Sequence, residues 1–357
     1  FKSLLVAPAT LGLLAPMSAT ANEVTINDFN PAEELAVTNS RVDGLEARLN
    51  NFEAGGFSET TTASFSVDAS IGAIDGDTTS EKTVAAYQFN IGLSTSFTGE
   101  DSLDIAIDSG SDSAATADDP LAFDTGASLQ VDGVTYSFPL GGASMLVGFD
   151  TDISSVFTGA CTYSAFTDWM SNCGTDLSNG VAGGGVTVAG SYAFDSGFSL
   201  AAGVSGTSDS SNGLMTKEGA DFYGIEAAYT ADSWGVAVAY ASDDNNTSAE
   251  TTYWGVNANY SFDIADISVG YETEETSGTD KSGYFVGLTF PEVGPGSVSI
   301  AAGTSANYTD AETEYMLYEA SYSYPVNDGL TITPGVFVEE KSGDDLTGII
   351  VKSSFSF

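Results

Sequence analysis

From residue 57 onward the chain is a succession of short segments in which apolar and polar side chains alternate. Val186, Val188, Tyr192 and Phe194 share one face, opposite Thr187, Ala189, Ser191 and Ala193. Trp234, Val236, Val238 and Tyr240 repeat the pattern, as do Trp254, Val256, Ala258, Tyr260 and Phe262. A period of two means a β-strand with one apolar and one polar face. Sixteen such segments are readable, the first near 60–71 and the last near 347–357. Short connections (98–100, 195–196, 231–233, 263–264) alternate with long polar ones, in all seven short turns and eight long loops. A chain that puts its short connections at one end and its long ones at the other closes naturally into an even-stranded barrel. A soluble sandwich has no reason to segregate them. The pattern predicts an all-β fold, a transmembrane antiparallel β-barrel of about 16 strands. Segment 127–138, with Gly133 inside it, also reads as two pieces, so 14 and 18 are the neighbouring even counts.

The last segment, Thr347-Gly-Ile-Ile-Val-Lys-Ser-Ser-Phe-Ser-Phe357, carries this furthest. Ile349, Val351, Phe355 and Phe357 fall on one face, which would meet lipid, while Lys352 falls on the other, toward the lumen. An aromatic ending on an amphipathic strand suits a closing barrel strand, and Phe355 and Phe357 are read as the signal for barrel-assembly machinery. The alternative is the edge strand of a sandwich.

The N-terminal stretch differs. Lys2 precedes an apolar run over 4–17 that is interrupted by Pro8 and Pro16, and Ala19-Thr20-Ala21 fits a cleavage site. Residues 1–21 are read as a signal peptide, because a spanning helix needs ~20 unbroken apolar residues. No other segment is apolar enough to span as a helix, and lipid admits only helices and closed barrels. In 22–56, Leu35, Val42, Leu45, Leu49 and Phe52 repeat at 3-4 spacing, the seam of a short periplasmic coiled-coil helix. An amphipathic helix lying on the barrel is the alternative. The barrel then occupies 57–357.

Charge and composition exclude function classes. Eight basic residues face 50 acids, a net charge of −42, so nucleic acid is not a partner. The chain has no His, which removes the usual general base and the commonest zinc ligand and argues against an enzyme. Asp75-Gly-Asp77, Asp108-Ser-Gly-Ser-Asp112 and Asp118-Asp119 lack a full calcium ligand set, so neither a metal nor a cofactor is expected. Within 57–357 there are five lysines (Lys82, Lys217, Lys281, Lys341, Lys352), no Arg and 43 acids, a net charge of −38. Pores for anions use Arg or Lys rings, pores for cations Asp and Glu, so any channel here should prefer cations and small neutral solutes.

The longest loop, 151–185, holds both cysteines, Cys161 and Cys173. In an exported chain one disulfide is the natural inference, two free thiols the alternative. Phe166, Trp169 and Met170 make this loop more aromatic and apolar than a solvated loop needs. A sixteen-stranded barrel leaves an aqueous lumen, and a loop folded inward would use such residues for packing. Asp150, Asp152, Phe166, Asp168, Trp169 and Asp176 are therefore the candidate constriction. A surface cap or a subunit contact is the competing reading.

Arg41-Val-Asp-Gly-Leu-Glu-Ala-Arg-Leu49, with Phe52-Glu53-Ala54 and Phe57-Ser-Glu-Thr-Thr61, resembles the coiled-coil-to-barrel junction of cyanobacterial outer-membrane porins. The leader, Ser94-Thr-Ser-Phe-Thr-Gly-Glu-Asp101, Val134-Thr-Tyr-Ser-Phe-Pro-Leu140 and the Phe-Ser-Phe ending are similar to segments of the same proteins. These belong with the carbohydrate-selective porin (OprB) family. The resemblance implies a homotrimer in the outer membrane of a Gram-negative-type bacterium, in contact with its lipid. It implies passive diffusion of small hydrophilic solutes or ions, with a third loop that narrows the pore. The family's S-layer-homology domain has no room in residues 22–31, so peptidoglycan tethering does not carry over. A plugged barrel serving a structural or receptor role is the alternative function.

Overall fold

The computed structural model describes residues 61–357, apart from 77–78, 112–125, 177, 180–183, 207–213, 217–218, 245–249, 278 and 305–313. The signal peptide, the coiled-coil seam (Leu35, Val42, Leu45, Leu49, Phe52) and the junction to the barrel lie outside the described residues.

Sixteen antiparallel strands form one closed barrel in which each pairs with its neighbours in sequence and β16 returns to β1. They are β1 (Thr61–Gly76), β2 (Thr79–Thr95), β3 (Ser102–Gly110), β4 (Gln130–Leu140), β5 (Ala143–Phe149), β6 (Thr187–Ala193), β7 (Phe198–Gly206) and β8 (Asp221–Thr230). The second half is β9 (Trp234–Asp244), β10 (Thr251–Ser261), β11 (Asp266–Thr276), β12 (Thr279–Val293), β13 (Gly296–Thr304), β14 (Met316–Asn327), β15 (Leu330–Glu339) and β16 (Leu346–Ser356). The closing register runs from Ser66 opposite Ser356 to Asp75 opposite Thr347. Phe65 and Phe357 extend it by exchanging backbone hydrogen bonds of 3.1 and 3.0 Å while their rings stack at 6.0 Å.

Segment β4 is one strand, not two. Ala106 faces Gly133 but Ile107 faces Val131, so Asp132 is an extra residue, a bulge that the interior glycine marks. Two expected long loops are also shorter than the sequence reading. The β1–β2 ladder continues to Gly76 opposite Thr79, and the β11–β12 ladder to Thr276 opposite Thr279. The second of these ends carries polar groups on both faces. Cross-strand pairs such as Lys281–Glu274 (3.0 Å) hold the second of them together without apolar alternation.

The two faces of the wall are inverted relative to a soluble protein. Ile225, Val238, Trp254, Ile300 and Ile349 point outward and are 40 to 64% exposed. An outer surface of this kind is satisfied by lipid. Aromatics form a belt at the short-turn end (Phe194, Phe198, Trp234, Tyr260, Phe262) and another at the long-loop end (Tyr223, Trp254, Tyr271, Tyr284, Tyr318). Neighbouring rings touch across strands, as Tyr240 and Trp254 do with centroids 4.7 Å apart. At the turn end, Asp101 closes the β2–β3 connection. Its carboxylate accepts from the Phe97 backbone N–H, and also from the Thr98 backbone N–H and the Tyr136 hydroxyl, the two bonds that chiefly hold its pKa well below the usual carboxylate range.

Candidate functional site

Loop 150–186, between β5 and β6, does not stand out from the barrel. It runs along the inner wall, out toward β15 and back to β10, and glycines of the wall record its path. A Cβ placed on Gly203 (β7) would meet Ile153 at 2.9 Å, on Gly224 (β8) Phe157 at 3.2 Å, and on Gly287 (β12) the Tyr163 ring at 2.5 Å. At Gly335 (β15), the far point, the Phe166 ring would lie 2.5 Å away. On the return, Met170 lies over Gly303 (β13), the Cys173 carbonyl over Gly270 (β11) and Ser178 over Gly255 (β10). The wall thus provides a groove in which missing side chains make room for the loop. Cys161 on the outgoing leg and Cys173 on the returning leg are disulfide-bonded, with Cα atoms 5.7 Å apart.

Apolar packing supplies one part of the attachment. Tyr163, Phe166, Met170 and Cys173 are buried with Phe285, Leu317, Phe337 and Ile350 of the wall, and Trp169 packs against this cluster. Ile153 and Phe157 anchor the start of the loop against Phe222 and Tyr253.

Wall carboxylates supply the rest. Glu319 (β14), 4% exposed, accepts from the Phe166 and Thr167 backbone N–H groups at 2.8 Å each, from the Tyr163 hydroxyl at 2.9 Å and from the Thr167 hydroxyl at 2.5 Å. Glu226 (β8), 1% exposed, accepts from Thr158 N–H at 2.7 Å and Gly159 N–H at 3.1 Å. Glu272 (β11) accepts from Ser178 N–H at 2.6 Å, and the Asn257 (β10) amide oxygen from Ala160 N–H at 2.7 Å. A buried carboxylate needs charge-stabilising partners. The loop contains no Lys or Arg, so its backbone N–H groups take that role. The reverse contact is made by Lys352 (β16), which donates to the Phe166 carbonyl and lies 4.9 Å from the centre of its ring. Burial and the neighbouring Glu319 push the Tyr163 phenol pKa up, so it remains a donor.

The six candidate residues take different positions. Asp150 and Asp152 sit at the root of the loop, where Asp152 caps the short 3-10 helix Ile153–Val156 through the Ser154 N–H. Phe166 is 2% exposed and faces the wall, which makes it an anchor rather than a lining residue. Asp168, Trp169 and Asp176 come together near the far turn, in and just after the 3-10 helix Asp168–Cys173. Asp168 is exposed, whereas Asp176 is half-buried and accepts from the Asn172 side-chain amide at 2.7 Å. Burial is the main cause that pushes the Asp176 pKa up to about 6, and the Asp168 charge adds to it. From β1 to β3 the wall presents Asp68, Gln88, Asn90 and Asp104 on the lumen face that Lys352 shares. Each lysine whose side chain is described is engaged: Lys281 with Glu274, Lys341 with Glu339 at 3.0 Å, and Lys352 with Phe166.

Glu226, Glu272, Glu319, Asn257 and the row of glycines are not among the residues that the sequence pattern singles out. A signal was present, since Phe222, Gly224, Glu226 and Ala228 share a face on which one acid stands among small and apolar residues.

Residues 141–345 match the family model for Gram-negative porins. Among solved structures the chain is similar to OprB of Pseudomonas putida at high pH, with a TM-score of 0.64 and 12% identity over 84% of this chain and 94% of that one. It is similar to a loop-L8 deletion mutant of OmpT, an outer membrane protein of Vibrio cholerae (TM-score 0.61, 11% identity, 84% and 100% covered). An anion-selective porin from Comamonas acidovorans gives a TM-score of 0.58 at 10% identity, with 84% and 99% covered. No curated protein matches. At such identities the structural likeness is one of fold, and anion selectivity is a property of the Comamonas protein. The family match covers more than half of the chain and falls on the barrel that carries the inward-folded loop: the chain belongs to the Gram-negative porins, channel-forming β-barrels of the outer membrane.

Proposed function

We propose that this porin is a water-filled channel for passive diffusion of small hydrophilic solutes and inorganic ions, that it prefers cations, and that loop 150–186 narrows it. Asp168, Trp169 and Asp176 of the loop tip, facing Asp68 and Asp104 of the wall, form the narrowest section, while Asp150 and Asp152 mark the loop's root. The observation that carries cation preference is the engagement of Lys281, Lys341 and Lys352, with no Arg anywhere in 57–357. A mobile anion then finds many acids and, among the described side chains, two lysines held in ion pairs and one, Lys352, set among Asp68, Asp168 and Glu319. In a planar bilayer with a KCl gradient, the reversal potential should have the sign of K⁺ permeation. A reversal potential of the opposite sign would refute the reading.

Two finer assignments belong to the same proposal. The junction motif over 41–61 supports placing the chain with cyanobacterial carbohydrate-selective porins, and the same resemblance, rather than the seam over 35–52 by itself, supports a homotrimer. Conductance in three equal steps per insertion would bear out the trimer, and single unitary steps would refute it.

A further inference from the structure

On the short-turn side of the loop tip lies a cavity of about 330 Å³, bounded by Ser164, Ala165 and Phe166 of the loop and by β1 and β12–β16 of the wall. Eight serine and threonine side chains line it, and its formal charges are Asp68 and Lys352. The two interact electrostatically yet form no direct ion pair. Lys352 spends one N–H on the Phe166 carbonyl and has two left. Asp168 and Glu319 also face Lys352, but the Glu319 oxygens are occupied by Tyr163, Phe166 and Thr167. We propose that this cavity is a binding subsite for a small zwitterion of the α-amino-acid class, its carboxylate on Lys352, its ammonium on Asp68 and its remaining polar atoms on the hydroxyls. The proposal rests on the channel reading above.

The charge arrangement selects against the other classes. A free anion entering the cavity meets Lys352 but also Asp68, Asp168 and Glu319. A free cation meets Asp68 but also Lys352. A molecule with one charge of each sign satisfies both groups, and about 330 Å³ is at the small end of ligand-sized pockets. A sugar would find the hydroxyls but no aromatic face to lie on. The Phe166 ring, the one aromatic among the residues that line the cavity, has a face packed on Gly335 of the wall and the Lys352 ammonium 4.9 Å from its centre.

The test uses the full chain in a planar bilayer. Alanine, titrated into the bath, should lower KCl conductance along a saturating curve by occupying the subsite. Lactamide, of the same size but uncharged, should lower it only in proportion to concentration. Asp68→Asn leaves the loop's attachment to Lys352 intact and should raise the half-saturating alanine concentration about threefold, the scale of one partly exposed charge pair. Lys352→Gln should raise it too. If alanine and lactamide act alike, or if Asp68→Asn leaves the alanine curve unmoved, the subsite is refuted while the channel stands. Absence of any conductance would instead refute the channel itself.

Discussion

At Asp176 two effects oppose each other: burial and the Asp168 charge favour the neutral acid, and the Asn172 amide favours the carboxylate. Burial prevails and the group titrates near pH 6. Above that pH the loop tip carries two negative charges, below it one, so cation preference should fall on acidification with its midpoint near pH 6. Asp176→Asn should hold the permeability ratio at the low-pH level and remove the inflection, while Asp168→Asn should keep an inflection shifted to lower pH. Reversal potentials from pH 4.5 to 8 check both, and an inflection that survives Asp176→Asn would exclude this assignment. For stability the sign is opposite. A carboxyl pKa raised in the folded state means that the folded protein holds an extra proton between about pH 4 and 6, so this contribution is lost as pH rises through 6. Glu319 is different in kind, because four donors converge on it. Glu319→Ala strands the Phe166 and Thr167 N–H groups inside the barrel, at about 1–3 kcal/mol for each unsatisfied donor. Hydrogen exchange at these two amides should speed up by at least tenfold while exchange in the strands is unchanged.

The loop and its groove are one element in two parts of the sequence. Gly270 accepts the Cys173 carbonyl 1.9 Å from where a Cβ would stand, and a backbone atom cannot swing aside as a side-chain end can. Gly270→Ala should therefore displace the returning leg at a cost of about 1–3 kcal/mol, without opening the barrel, whose closure rests on inter-strand hydrogen bonds. An altered unitary conductance in a barrel that still migrates as folded without heating is the expected result, and wild-type conductance would oppose it. The disulfide acts on the same element by joining the legs, and closing a loop of this size contributes about 3 kcal/mol by restricting the unfolded segment. Its reduction should raise open-channel current noise and leave the barrel intact. This is also where legibility in the sequence divides. The strands were readable because lipid outside and water inside impose a period of two on each of them independently. The projecting end at Thr276–Thr279 was not, because both of its faces are polar and the period vanishes, and the end at Gly76–Thr79 was not, because its glycines break the alternation. The groove was hidden for another reason. Each of its glycines is unremarkable in its own strand, and only the register of eight consecutive ladders, from β7–β8 to β14–β15, lines them up.

Across the whole molecule, net charge and selectivity need not have the same origin. Residues 57–357 carry −38, and many of those acids lie in or beside the long connections of the sequence. Their collective field would concentrate cations at the mouth, but it is screened over about 10 Å at 0.1 M salt and 3 Å at 1 M. If the loop tip is the narrowest section, as proposed, Asp168 and Asp176 would act at contact distance on a passing ion, where screening counts for little. The two sources therefore separate by ionic strength. If the outer acids dominate, the K⁺/Cl⁻ permeability ratio should collapse toward the ratio of free-solution mobilities, near unity, between 0.1 and 1 M. If the loop tip dominates, part of the preference should survive at 1 M, and Asp168→Asn with Asp176→Asn should abolish that residue while sparing the low-salt excess. Retention of the full high-salt preference in the double variant would assign selectivity to the wall acids Asp68 and Asp104. Because the loop lies along the inner wall in a groove of glycines from β7 to β15 and is bonded to the carboxylates of Glu226, Glu272 and Glu319, charges at its tip are fixed in place, and a fixed charge can discriminate in a solution that screens every mobile one.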